Sequence, residues 1–281
     1  MPKKRLIGVV NIIDDLAVQS INFKKYLPIG KPEIYIEYLN NWGIDEIAIV
    51  DIKGSLRGKC NIQDKIGMYI KKCFVPVSAG GGIRKFEDVK NLISNGADKV
   101  IFNSVAFEDF DLLKKASRKY GNQAIVMSID IKKVNQKYLI FSKSGTKLIS
   151  HTFNDVFKII NSGFVGEVYI NSIDNDGMMR GYDLNLLKLA LQKTNIPTTF
   201  IGGVGSPKHI LEALKYNVSG LGVGNYFNYF EQSVDYTKKF MSKNKVNKLR
   251  KTFTNHKSDI FDQFNRISKK DDSYLEKGYF K

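Results

Sequence analysis

Two spacings of apolar residues alternate along this chain. Short runs rich in Ile, Val and Leu stand at 5–12, 46–51, 75–79, 99–103, 124–130 and 167–171. They are too short for helices and are bounded by polar residues or glycine, so they read as buried strands. Between them, apolar positions recur every three or four residues over 34–42, 62–72, 109–119, 153–160, 184–191 and 230–241, the spacing of helices that bury one face. Strands that alternate with helices build a parallel sheet covered by helices. One stretch, VPVSAGGGIRKFEDVKNLISNGADKVIFNS at 75–104, holds the whole unit. It contains a strand, a triple glycine, a helix carrying Phe86, Val89, Leu92 and Ile93, a stop at Asn95-Gly96, and a second strand.

That unit returns as IPTTFIGGVGSPKHILEALKYNVSGLGVGN at 196–225. Pro76 falls on Pro197, Gly82 on Gly203 (203 − 82 = 121), and Glu46 on Glu167 at the same offset. A repeat held in one register constrains the whole architecture. Two half-chains, each of four strand–helix units, close most simply into one α/β domain, a (β/α)8 TIM barrel expected over residues 1–241. From 242 to 281 the composition turns to Lys, Asn and Ser with scattered aromatics, which predicts a helical or partly disordered C-terminal extension. Two connections are long. Residues 14–31 read as a functional or mobile loop, and KKVNQKYLIFSKSGTKLIS (132–150) as a hairpin turning at Ser144-Gly145.

Composition narrows the classes. The 281 residues are 43% hydrophobic, ample for a sizeable core. No apolar run reaches the roughly 20 residues that a bilayer-spanning helix needs, and MPKKRLIGVVNII runs into a strand pattern without a small-residue cleavage site. Two cysteines, Cys60 and Cys73, suit a reducing, cytoplasmic compartment rather than a disulfide scaffold. His151, His209 and His256 stand in no ligand spacing, so neither a metal nor a cofactor is expected. The net charge of +16 is spread over helix faces and the tail without an aromatic-interleaved basic motif. It favours a solvated lysine-rich surface over nucleic-acid binding.

Parallel barrels keep their chemistry at the C-terminal ends of the strands. There the chain places two matched sets, Gly81 and Gly82 with Asn103 and Ser104, and Gly202 and Gly203 with Gly224 and Asn225. A glycine loop facing the next strand's end lets backbone N–H groups converge on an anion. The alternative is that the glycines only permit tight turns. Matched in both halves, the two sets fit a substrate with a phosphate at each end. Asp130, ending the fifth strand between them, suits general acid–base work. Its counterpart on the first strand is Asn11, which cannot carry a proton as a carboxylate does. Asp176 and Asp51 are the candidates to replace it, and each reads equally as an aspartate that orders its loop. At the opposite ends of the strands, Arg5, Glu46, Lys99 and Glu167 gather two cations and two anions on the barrel floor. From the residues alone, that is an ion-pair plug.

The segments SAGGGIRKFEDVKNLISNGADKVIFNS, QAIVMSIDIKKV, INSIDNDGMMRGYD and the GGVGS unit resemble HisF, the cyclase subunit of imidazole glycerol phosphate synthase, over about residues 4–240. The resemblance implies a barrel that binds a bis-phosphorylated ribonucleotide between its two phosphate sites, Gly177 among their residues. It implies a HisH-like glutaminase under the floor, with Arg5, Glu46, Lys99 and Glu167 as the gate through which ammonia enters the barrel core. On the same basis Asp130 is the second catalytic aspartate, Asn11 stands where the first one belongs, and Gln19 stands in place of a loop lysine. A retained floor under an altered mouth implies ammonia delivered to a different acceptor. The loop INFKKYLPIGKPEI resembles paralogues linked to amidination of nucleotide- or lipid-linked sugars in surface polysaccharide synthesis, where a separate sugar amidotransferase is a third partner. Histidine biosynthesis is the alternative destination. A non-catalytic scaffold that activates the glutaminase, and a basic RNA-associated protein, are alternatives of other classes.

Overall fold

The computed structural model describes residues 3–246, 248–250 and 263, so most of the expected 242–281 extension lies outside the described residues. The first half runs β1 (Arg5–Ile13), β2 (Leu16–Ile21), β3 (Lys25–Gly30), α1 (Pro32–Asn41), β4 (Glu46–Asp51), α2 (Gly54–Arg57), α3 (Ile66–Tyr69), β5 (Val77–Gly80), α4 (Phe86–Ser94) and β6 (Lys99–Phe102). Two short helices, α5 (Ser104–Glu108) and α6 (Phe110–Tyr120), lead into the second half. It runs β7 (Ile125–Val134), β8 (Lys137–Ser142), β9 (Lys147–Leu148), α7 (Phe153–Ile160), β10 (Glu167–Ser172), α8 (Leu184–Leu191), β11 (Thr198–Ile201), α9 (Pro207–Ala213), β12 (Gly220–Val223) and α10 (Ser233–Lys243).

Strands β1, β4, β5, β6, β7, β10, β11 and β12 pair in parallel, each with the next, and β12 pairs with β1. The cylinder is closed, and the expected (β/α)8 barrel is the fold. Its strands look uniformly apolar in sequence because both of their faces are buried. Outward residues such as Leu6, Ile47, Val100, Met127 and Phe200 join the helices in one large core. Inward residues Ile7, Ala48, Ile101, Val126 and Tyr169 form a second, smaller cluster inside the cylinder. No described helix is long and apolar enough to cross a membrane.

The internal repeat reaches further than the sequence suggested. Strands β4 and β10, β5 and β11, and β6 and β12 each begin 121 positions apart (167 − 46, 198 − 77, 220 − 99). Residues 14–31 are no open loop: β2 and β3 continue β1 as an antiparallel hairpin, and β8 and β9 continue β7 likewise. The inner turns fall at Asp14-Asp15 (φ 49° and 65°) and Asn135-Gln136 (φ 47° and 64°). The outer turns fall at Asn22-Phe23 (φ 52° and 56°) and Lys143-Ser144 (φ 49° and 56°). Both turn pairs obey the same offset (135 − 14 = 121; 143 − 22 = 121). Two consecutive left-handed residues match the twist of the flanking strands, which is why Asp and Asn recur there. The turn expected at Ser144-Gly145 is therefore only the outer one of its segment.

The helix expected over 62–72 is also corrected. Its apolar residues Ile62, Ile66 and Tyr69 are buried, but within that span only the single turn α3 forms, following the separate turn α2 that Gly58 closes in a left-handed conformation. After α10 the chain returns to the floor, where Leu249 bridges Lys4 beside the start of β1.

Candidate functional site

The C-terminal strand ends surround one cleft of about 1260 Å³, its open mouth included. Asn11, Asp51, Gly81, Gly82, Asn103, Ser104, Asp130, Asp176, Gly177, Gly202, Gly203, Gly224 and Asn225 all line it. Gln19 does not line it. Alternate residues of a strand face opposite ways, and on β2 the inward place belongs to Ser20.

Asp130 is buried where β7 meets β10. Register relates it to Asn11: Asp130 lies beside Asn171 and Asn11 beside Val50, positions that the repeat itself relates (171 − 50 = 121). Asn171 Nδ2 donates to Asp130 Oδ1 at 2.6 Å, and Asn103 Nδ2 donates to Oδ2 at 3.0 Å. Burial pushes this carboxyl up to about 6, with a contribution from the Asp176 charge, while the two amide hydrogen bonds pull the other way. A carboxyl poised there can take or give a proton near neutral pH. Among the described residues, the Asn11 amide has no hydrogen-bond partner, which leaves it open to a ligand.

The sign of the linkage is testable. A folded-state value raised above that of an exposed aspartate means the folded protein binds this proton more tightly, so stability falls as pH rises from about 4 to 6. The cost above that window is about 3 kcal/mol. Asp130→Asn removes it. Melting temperatures of wild type and variant should therefore diverge in favour of wild type as pH falls from about 7 to 4, and a pH-independent difference would contradict the assignment.

The other two aspartates have different work. Asp51 Oδ1 accepts from Gly54 N (2.9 Å) and Lys53 N (3.1 Å), and its Oδ2 from Asn61 Nδ2 (2.9 Å), so it orders the loop that starts α2. Asp176 Oδ2 accepts from Ser20 Oγ (2.6 Å) and Phe23 N (3.2 Å), and Asn22 N donates to the Asp176 carbonyl at 2.9 Å. Asp176 thus holds the β2–β3 hairpin over the mouth, with Phe23 lining the cleft.

The two glycine loops match in conformation. Gly81 and Gly82 have φ of 114° and 71°, and Gly202 and Gly203 have 105° each. A Cβ on Gly203 would press into the Gly181 carbonyl oxygen. Gly203→Ala is therefore expected to cost more than about 1–3 kcal/mol, the range for a strained backbone alone, and to weaken inorganic phosphate binding, read by thermal melts with and without phosphate. Beside these loops, the side chains of two expected phosphate residues are committed elsewhere. Asn103 clamps Asp130, and the Asn225 amide clasps the backbone of Ser20, donating to its carbonyl at 2.8 Å and accepting from its N–H at 3.2 Å.

From the cleft downward, inward residues of β10 descend through the barrel: Asn171 at the mouth and Tyr169 deeper in, both lining the cleft, then Glu167 on the floor. The floor is a closed ring. Arg5 Nη1 lies 2.8 Å from Glu46, Arg5 Nη2 2.7 Å from Glu167, and Lys99 Nζ 2.7 Å from Glu167 and 3.3 Å from Glu46. Thr199 Oγ1 also donates to Glu167 at 2.8 Å. Burial alone would raise the Glu167 carboxyl, but Arg5 and then Lys99 outweigh it and hold the carboxyl below its usual range. Signs alternate around the ring and cancel.

A family model described as "Histidine biosynthesis protein" matches residues 5–234, a span that contains floor, lumen and cleft. The chain belongs to that family. Within the histidine biosynthesis family it is of HisF type. It is 35% identical over 248 residues to the putative imidazole glycerol phosphate synthase subunit hisF2 of Vibrio vulnificus, covering 88% of this chain and 91% of the relative. It is likewise 35% identical over 215 residues to the imidazole glycerol phosphate synthase subunit HisF of Metallosphaera sedula, covering 76% and 86%. A second putative hisF2 subunit, from Campylobacter jejuni, is 34% identical over 232 residues, covering 83% and 92%. Asn171, Tyr169, Ser20 and Phe23 were missed in the sequence of this family member. Alternation along 167–171 from the floor residue Glu167 would have found the first two.

Proposed function

We propose that this chain is the synthase-type, cyclase-like subunit of a glutamine amidotransferase system. A HisH-like glutaminase docks beneath the barrel and releases ammonia at Arg5, Glu46, Lys99 and Glu167, which act as a gate. Ammonia crosses the apolar lumen as the neutral molecule, because burying an uncompensated ammonium ion is far more costly. In the cleft it meets a phosphorylated acceptor whose phosphates rest on the Gly81-Gly82 and Gly202-Gly203 loops, with Ser104, Gly177 and Gly224 beside them. Asp130 takes a proton as the new C–N bond forms and returns it to the leaving oxygen. The observation that carries this reading is the single axis on which the charged ring, the apolar lumen and the buried carboxyl are stacked. Since Asp130 must start unprotonated, turnover should fall as pH drops below about 6, checked by a rate profile with ammonium salts as nitrogen source.

For the acceptor, Asn11 favours a molecule other than the bis-phosphorylated ribonucleotide, whose closure would use two carboxylates. The reading is amidination of a nucleotide- or lipid-linked sugar in surface polysaccharide biosynthesis, with a separate sugar amidotransferase as third partner. A second reading, the cyclase step of histidine biosynthesis, is favoured by the names its relatives carry. Purified chain mixed with an ammonium salt and the ribonucleotide separates them. The sugar reading expects no turnover above background, and sustained turnover overturns it in favour of the cyclase. A HisH-like glutaminase whose glutamine hydrolysis ignores this chain would overturn the ammonia scheme in either form.

A further inference from the structure

At the inner end of the cleft's lining, Tyr169 presents a hydroxyl that neither the ion ring nor the proton transfer at Asp130 uses. Tyr169 is 2% exposed, two residues above Glu167 on β10, and its hydroxyl lies 3.0 Å from Ser78 Oγ on β5. Strands β6 and β7 separate β5 from β10, so the phenol reaches across the cylinder rather than along its wall. Ile7, Ala48, Ile101 and Val126 enclose it. An aliphatic side chain would fill that space without a hydroxyl to satisfy, so the polar pair has a cost that packing alone does not explain.

Counting hydrogens gives the pair a direction. Ser78 Oγ also lies 3.4 Å from the Ile47 carbonyl. With Tyr169 donating to Ser78, and Ser78 to that carbonyl, both hydroxyl hydrogens are used. The oxygen lone pairs left over are acceptors without a donor. Burial, reinforced by the Glu167 charge, keeps the phenol protonated, so the pair offers acceptors without a full negative charge. Ammonia is the complement, with three N–H donors and no charge to desolvate. We propose that the Tyr169–Ser78 hydroxyl pair is a binding station for neutral ammonia, between the ion ring at Glu167 and the Asp130 carboxyl that Asn171 holds. The station rests on the ammonia route argued above and adds to it a site where nitrogen pauses in the barrel.

Tyrosine labelled with ¹³C at Cζ gives the test in the full chain. The Tyr169 resonance is the one lost in Tyr169→Phe, a change that keeps the ring and its packing. Ammonium chloride is added at a pH where a large share is unprotonated, against sodium chloride at equal ionic strength. The Tyr169 resonance is expected to move along a saturating curve with the former only, and to stop responding at a pH where nearly all of it is ammonium. Ser78→Ala should raise the half-saturating concentration about three- to ten-fold, the worth of one hydrogen bond. A resonance that ignores ammonium chloride, follows both salts alike, or responds equally to the protonated form overturns the station. The readout needs neither glutaminase nor acceptor, so a silent Tyr169 removes the station while the glutaminase test still judges the wider scheme.

Discussion

Asp130→Asn is expected to slow amination of the acceptor by about 10²–10⁴-fold with saturating ammonium salt, while activation of the glutaminase is unchanged. The amide keeps the shape of the side chain but cannot carry the proton. Its single oxygen satisfies only one of the donors from Asn103 and Asn171, which costs about 1 kcal/mol. Loss of a buried charge offsets that, so the variant should stay folded by circular dichroism. The floor ring lies at the far end of the strands and shares no hydrogen bond with Asp130. A rate within about ten-fold of wild type would mean that another group moves the proton.

What the sequence made legible, and what it hid, follows from periodicity. Strands buried on both faces leave an unbroken apolar signal, and the glycine loops repeat in one register, so closure into a barrel could be read without coordinates. The hairpin over 132–150 was legible, but the one over 14–31 was hidden because its strands are short and half exposed, as in Lys25–Gly30 with Pro28 inside it. The real mark of both was the pair of left-handed turns at Asp14-Asp15 and Asn135-Gln136, which only backbone angles expose. The residues expected around the cleft all line it except Gln19, but their side chains do not all point into it. Asn103 and Asn225 sit beside the glycine loops, yet one clamps Asp130 and the other pins Ser20. Which way an amide points is decided by the neighbouring strand's register, and a single sequence does not carry that.

The same register explains how one half of the barrel differs chemically from the other. Asp130 has Asn171 beside it on β10, whereas Asn11 has Val50 beside it on β4. A carboxylate at position 11 would face an aliphatic neighbour where Asp130 faces an amide donor. The asymmetry of the mouth is thus written in both members of each pair, and Asn11 is consistent with its surroundings. On the floor the asymmetry runs the other way. Glu46 and Glu167 are repeat equivalents, while Lys99 falls on Gly220, so duplicated anions are bridged by cations from only one half (220 − 99 = 121).

Arg5→Leu tests whether that ring is a plug or a gate. The change leaves Glu46 and Glu167 buried with Lys99 as their one remaining partner in the ring. Breaking a buried ion network in this way costs about 3–5 kcal/mol. In a domain of this size that lowers the melting temperature by roughly 10 °C. Arg5→Leu with Glu167→Leu removes the stranded charge, leaves the Glu46–Lys99 pair at 3.3 Å, and should recover most of the loss. A ring that only closes the floor would regain normal behaviour with its stability. A ring that admits ammonia would not, because the polar opening itself is gone. In the double variant, glutamine-driven amination should stay depressed relative to amination driven by added ammonium salt, which reaches the cleft from the mouth. Recovery of both together would make the four charges a plug.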